Sequence, residues 1–198
     1  MFTGIVEGTG LCLGRTTEGS NVHFEMECAF GHELKVDQSV SHNGVCLTVT
    51  HVNGNRYGVT AIDETLQRSN LGSLQAGHRV NLERCMPAHG RFDGHIVQGH
   101  VDTKGTVERI EDRDGSYLMH FRHPRGPGWI TVTKGSICVN GVSLTVVDSH
   151  DEGFSVAIIP YTWEHTNLSD QKSGSSVNLE FDILGKYMEK LLRSRLHE

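Results

Sequence analysis

The chain is written twice, and this repetition limits its architecture more than any other feature. Asn43-Gly44-Val45-Cys46-Leu47-Thr48-Val49 returns about 97 residues later as Asn140-Gly141-Val142-Ser143-Leu144-Thr145-Val146, with only the middle residue changed. The same offset carries Val80-Asn81-Leu82-Glu83 onto Val177-Asn178-Leu179-Glu180, Thr65 onto Thr162, and Asn70-Leu71 onto Asn167-Leu168. After a two-residue slip, Gly4-Ile5-Val6-Glu7 faces Gly99-His100-Val101-Asp102. Ordered matches of this kind mark a tandem duplication. The period is too long for a solenoid unit and suits a small domain. Copies are expected over 1–95 and 96–183, with 184–198 as a separate tail.

Each copy reads as all-β. Val22, Phe24, Met26 and Cys28 alternate with polar neighbours, the period-two pattern of a half-buried strand, and Tyr117, Met119 and Phe121 repeat it. Asn53-Gly54 lies between two strand-like runs and predicts a hairpin. One short helix is expected per copy, over 64–71 and 162–168. Short strands and Gly-rich turns point to small closed barrels, which leave no exposed sheet edge. The tail is different. Leu184, Tyr187, Met188, Leu191 and Leu192 form a helical apolar stripe, with Lys186, Lys190, Arg193 and Arg195 on the other side. Such a helix packs on its own barrel or bundles with copies from other subunits.

Several function classes are excluded. A formal charge of -6 without a basic run argues against nucleic acid. The N-terminus has no signal-peptide pattern, and no apolar stretch approaches the roughly 20 residues of a membrane span. Five cysteines without C-x-x-C predict reduced thiols and a cytoplasmic protein. P-loop, G-x-G-x-x-G, G-x-S-x-G and H-E-x-x-H patterns are lacking. His95 and His100, five apart, would face opposite sides of a regular strand, which disfavours a metal site.

The copies differ where chemistry could sit. Cys46 faces Ser143, Ile5 faces His100, Thr60 faces Ala157 and Glu64 faces Tyr161. By linear position, the second copy gains a histidine and a serine near Thr145, a set able to move protons. The first copy keeps a thiol near Thr48. Spacing alone stops at a duplicated barrel that binds a small molecule.

These motifs resemble the riboflavin synthase family. The resemblance rests on the opening Met1-Phe2-Thr3-Gly4-Ile5-Val6-Glu7, both Asn-Gly-Val motifs, Gly94-His95-Ile96-Val97-Gln98-Gly99-His100-Val101-Asp102, and Lys134-Gly135-Ser136-Ile137, in that order along the chain. It implies two six-stranded antiparallel Greek-key barrels and a C-terminal helix. It also implies conversion of two 6,7-dimethyl-8-ribityllumazine molecules into riboflavin and 5-amino-6-ribitylaminouracil, with no metal or cofactor. The implied assembly is a homotrimer with sites between subunits, and lumazine synthase is a candidate partner. The non-catalytic alternative is a lumazine- or flavin-binding protein on the same barrels.

The resemblance also implies site residues. Gly4, Ile5 and Val6 would line a first pocket with Cys46, Leu47, Thr48, Thr60, Ala61, Ile62, Asp63, Glu64 and Thr65. Gly99, His100 and Val101 would line a second with Ser143, Leu144, Thr145, Ala157, Ile158, Ile159, Pro160, Tyr161 and Thr162. Lys134 would reach a ligand from the adjoining subunit. Cys46, His100, Ser143 and Thr145 are the catalytic candidates, with Phe2 packing on the ring and Asn81 and Asp182 in support. His100 and Thr145 both remain open as the proton-transfer group. Cys46 is either a nucleophile or a polar wall.

Overall fold

The computed structural model describes residues 1–195. Positions 196–198, the end of the expected tail, lie outside the described residues. The first half contains β1 (Gly8–Glu18), β2 (Asn21–Glu27), β3 (Ser39–His42), β4 (Val45–Asn53), β5 (Arg56–Ala61) and β6 (Arg79–Arg84). The second contains β7 (Thr103–Asp112), β8 (Tyr117–Arg122), β9 (Ser136–Val139), β10 (Val142–His150), β11 (Gly153–Ile158) and β12 (Ser176–Phe181). The first barrel closes in the order β1-β2-β5-β4-β3-β6, and the second, read from β7, repeats that order. Strands β2 and β3 follow each other in sequence yet are separated in space by β5 and β4, a Greek-key path.

The duplication extends to local irregularities. Register shifts fall between Cys12 and Gly14 in β1 and between Val107 and Arg109 in β7. They recur between Val49 and His51 in β4 and between Val146 and Ser149 in β10. Such bulges bend strands hard enough to close a small barrel. Alternating residues fill each interior. Phe24, Met26 and Tyr57 are buried in the first, and Met119, Phe121 and Phe154 in the second.

The expected short helices are shorter than the sequence indicates. They are α1 (Asp63–Arg68) and α2 (Pro160–His165), each followed by a 3-10 turn, Asn70–Ser73 and Asn167–Asp170. The break has a local cause. Ser69 and Thr166 are extended, and their hydroxyls accept from the N–H groups of Leu71 and Leu168, restarting the chain in a new turn.

Asparagines join the barrels around a pseudo-twofold axis. The Asn81 amide donates to the Asn140 carbonyl at 2.9 Å, and the Asn178 amide donates to the Asn43 carbonyl at 2.9 Å. Asn167 and Asn70 complete the network by donating their backbone N–H groups to Asn81 and Asn178 side chains, at 2.7 and 2.6 Å. Gly44 and Gly141 meet on the axis. A Cβ on Gly44 would lie 3.0 Å from the Gly141 nitrogen. Asn81, expected beside the site, is thus a strut between barrels.

Helix α3 (Ile183–Arg195) follows β12. It is tied to the second barrel by Lys186 Nζ on Asp102 at 2.6 Å and by the Gly128 N–H donating to Glu189. Its stripe of Leu184, Tyr187, Met188, Leu191 and Leu192 faces away, each more than half exposed. Among the described residues no helix is long and apolar enough to cross a membrane.

Candidate functional site

Two segments cross the pseudo-twofold axis. The segment that leads into each barrel rests on the other barrel. Residues 2–6, ahead of β1, run along the second barrel, where the Ser143 N–H donates to the Gly4 carbonyl at 2.8 Å and Val6 packs on that core. Residues 97–101, ahead of β7, run along the first, where the Cys46 N–H donates to the Gly99 carbonyl at 2.9 Å and Val101 packs on that core. The segments pair with each other through Phe2 and Val97, by N–H to carbonyl bonds of 2.7 and 3.1 Å.

Both crossings need glycine. Gly4 and Gly99 have φ of +77° and +83°, and a Cβ on either would sit 2.6 Å from the Cβ of Ser143 or Cys46. Buried carboxylates clamp both turns. Glu83 accepts from the Thr3 and Gly4 N–H groups at 2.7 and 3.0 Å. Glu180 accepts from those of Gln98, Gly99 and His100 at 2.6, 2.9 and 2.8 Å. Burial pushes both carboxyls above their usual range, and the amide bonds oppose this.

The crossing corrects the sequence-based grouping. Gly99, His100 and Val101 belong with Cys46, and Gly4, Ile5 and Val6 with Ser143. Repeat matching pairs equivalent positions but cannot tell on which copy each one packs. The first barrel therefore carries a cleft of about 250 Å³ walled by Cys46, Glu64, Thr65, Gly99, His100 and Val101, with Arg68 and Ser69 from and after α1. Burial pushes the Cys46 thiol up, so it is a neutral thiol at neutral pH. Glu64 pairs with Arg68 one helical turn on, at 3.7 Å. The Ser69 hydroxyl donates to the Thr65 carbonyl at 2.6 Å.

The equivalent place on the second barrel is chemically different. Ile5 stands where the cleft has His100, and Tyr161 stacked on His165 at 4.1 Å replaces Glu64 and Arg68. Thr166 donates to the Thr162 carbonyl at 2.7 Å, as Ser69 does to Thr65. The histidine near Ser143 is His95, whose Nδ1 lies 2.6 Å from the hydroxyl. Burial lowers the His95 pKa, and the Asp182 carboxylate opposes the shift.

The other expected residues divide by exposure. Thr48 and Thr145 are exposed, opposite Ser39 and Ser136. The side chains of Leu47, Ala61, Leu144 and Ile158 are buried in the barrel cores, so only their backbone groups are left to meet a ligand. Thr60 binds His23 at 2.8 Å and Asp63 accepts from Gln67 at 2.7 Å. Ile62, Ala157, Ile159, Pro160 and Lys134 are exposed. Phe2, expected against a ligand ring, is fully buried with Val97 and Cys138, behind Gly99. The junction of the two barrels needs a large apolar group there.

Glu83, Glu180 and the His95–Ser143 pair were not legible as site elements. Both glutamates do stand in the repeated Val-Asn-Leu-Glu motif, and an acidic residue at the end of a buried strand, retained in both copies, was the available signal.

Comparison with known proteins accords with this duplication. The lumazine binding domain family matches twice, at residues 3–85 and 98–182. A riboflavin synthase of Actinobacillus pleuropneumoniae is 42% identical over 194 residues, which is 97% of this chain and 90% of the relative. One from Bacillus subtilis is 37% identical over 193 residues, with the same coverage of each. A crystal structure of LumP complexed with riboflavin superposes with a TM-score of 0.84 at 23% identity, covering 91% of this chain and 99% of that one, a likeness of fold.

Proposed function

The chain belongs to the riboflavin synthase family, built on paired lumazine binding domains, and from that membership we propose that it converts two molecules of 6,7-dimethyl-8-ribityllumazine into riboflavin and 5-amino-6-ribitylaminouracil. The observation that carries the reading is a pair of matched but chemically unlike surfaces. Two identical substrates need the same shape to bind and different surroundings to play opposite roles. One lumazine gives four carbons and the other receives them. Holding the two flat rings together can supply roughly 7–11 kcal/mol of the barrier.

The residues support distinct tasks. One lumazine must lose a proton from its 7-methyl group, and the other must be attacked. On the first barrel His100 is the proton-transfer group, Cys46 a polar wall, and Glu64, Thr65 and Thr48 the partners of the ribityl hydroxyls, each of which needs a hydrogen bond when buried. The neutral state of Cys46 favours the wall over a thiolate nucleophile. On the second barrel Ser143, with His95 and Thr145, faces the other ring.

The assembly we propose is a cytoplasmic homotrimer. The outward stripe of α3 supports it, because five large apolar side chains on one short helix call for a partner. Sites would form between the first barrel of one subunit and the second barrel of the next, where Lys134 reaches the adjoining ligand. Lumazine synthase is the proposed neighbour.

The test is turnover. Purified protein given the lumazine alone should yield riboflavin, seen by absorbance and chromatography. One tightly held lumazine per chain and no riboflavin would make the protein a binding module instead.

A further inference from the structure

The two copies neutralise equivalent acids by different means. In the first copy Glu7 follows the crossing segment, and its N–H donates to the Leu82 carbonyl at 2.9 Å. Arg84, on β6 of the same barrel, covers it, with Nε and Nη2 2.8 and 2.6 Å from Glu7 Oε2. In the second copy Asp102 takes the place of Glu7, and its N–H donates to the Leu179 carbonyl at 2.9 Å. The equivalent of Arg84 is Phe181, which carries no charge. Only its backbone N–H reaches Asp102, at 2.8 Å. The cation comes from α3 instead, as Lys186 Nζ lies 2.6 Å from Asp102 Oδ2 with both side chains largely buried.

This matters because Asp102 ends the segment that walls the Cys46 cleft. Glu180, next to Phe181 on β12, holds the other end by three N–H bonds. Residues 98–102 are therefore fixed at one end by a buried carboxylate and at the other by a carboxylate whose charge α3 balances. Without the charge-assisted bond between Lys186 and Asp102, whichever partner is removed, this end of the segment is no longer tied to α3, and residues 98–102 are freer to open.

We propose that Lys186 of α3 is a positioning residue for the Cys46–His100 cleft, acting through Asp102. The terminal helix thereby completes the wall of the first barrel's site, whereas the second barrel's site needs no such help. The inference builds on the proposed function, but its first readout is independent of activity.

Amide hydrogen exchange on the full chain tests it, with Lys186→Met acting from the helix and Asp102→Asn from the barrel. Exchange at Gln98, Gly99 and His100 should quicken about tenfold in Lys186→Met, the scale expected when a locally opening segment is deprived of one charge-assisted hydrogen bond. Thr3 and Gly4, clamped in the same way by Glu83, serve as the internal control and should keep their wild-type rates. Asp102→Asn should show the same selective change even if Lys186→Met also alters assembly. In the turnover assay Lys186→Met should lower kcat, and Lys186→Arg should recover most of it. Unchanged exchange at 98–100 in both variants, or an equal rise at Thr3 and Gly4, would overturn the proposal. A wild-type protein that makes no riboflavin would defeat the functional reading while leaving the exchange result to decide this one.

Discussion

Cys46 and Ser143 occupy one position in two copies, and the exchange between them is reciprocal. Cys46 lies opposite Ser41 across β3 and β4, whereas Ser143 lies opposite Cys138 across β9 and β10. Each pair holds one thiol and one hydroxyl, on opposite strands. The cleft of the first barrel thus shows sulfur where the second shows oxygen. Replacing Cys46 by Ser, or His100 by Gln, should lower the rate of riboflavin formation more than it lowers the urea midpoint. An unchanged rate would remove that residue from the machinery. The cores differ too. His42 Nε2 binds the Tyr57 hydroxyl at 2.9 Å inside the first barrel, where the second has Val139 and Phe154. Burial lowers the His42 pKa from 6.5 to about 4. Above pH 6.5 neither folded nor unfolded chain protonates this ring, so the native state keeps its full stability. Between 6.5 and about 4 the unfolded chain takes a proton that the native chain refuses, and stability falls by roughly 3 kcal/mol across that window. Urea melts as a function of pH should show this loss, and His42→Val with Tyr57→Phe should remove it.

At the scale of elements, the strands were readable and the crossing segments were not. The period-two run from Val22 to Cys28 matches β2, and Asn53 closes β4 while Gly54, at φ +60°, opens the two-residue turn into β5. Those signals are local, set by pleat and turn geometry. The position of Gly99 against Cys46 is not local. It depends on two barrels meeting around Gly44 and Gly141, and a repeat gives two equivalent partners for each segment without choosing between them. The short helices ended early because Ser69 and Thr166 cap new turns, a competition that apolar periodicity does not register. Gly99→Ala tests the crossing itself. A methyl group there meets Cys46 and an unfavourable φ, so the loss should be about 1–3 kcal/mol in urea denaturation, with riboflavin formation falling further than stability. A fully active Gly99→Ala protein would argue against the crossed wall.

Among the described residues, two closed barrels form the body of the whole molecule and α3 turns an exposed apolar face away from it. The duplication, the barrel closure and the family were all legible, since they rest on ordered matches along the full chain. The role of the tail was legible only as a stripe, because a helix that bundles and one that lies on its own barrel share the same periodicity. In the structure α3 meets its barrel through Lys186 and Glu189 and turns the stripe outward. If the proposed trimer forms through this face, Leu184→Glu with Leu191→Glu should give monomers in sedimentation, with most of the activity lost. A fully active monomer would refute both the trimer and the shared site. A riboflavin titration followed amide by amide checks the exchanged walls. The second barrel's surface is blocked by Ile5→Trp, a change at an exposed position. Signals of Gly99, His100 and Val101 should still follow one binding curve together with Cys46 in that variant. Loss of the response at Gly99, His100 and Val101 alongside Ser143, while Cys46 still responds, would mean that the walls are not exchanged.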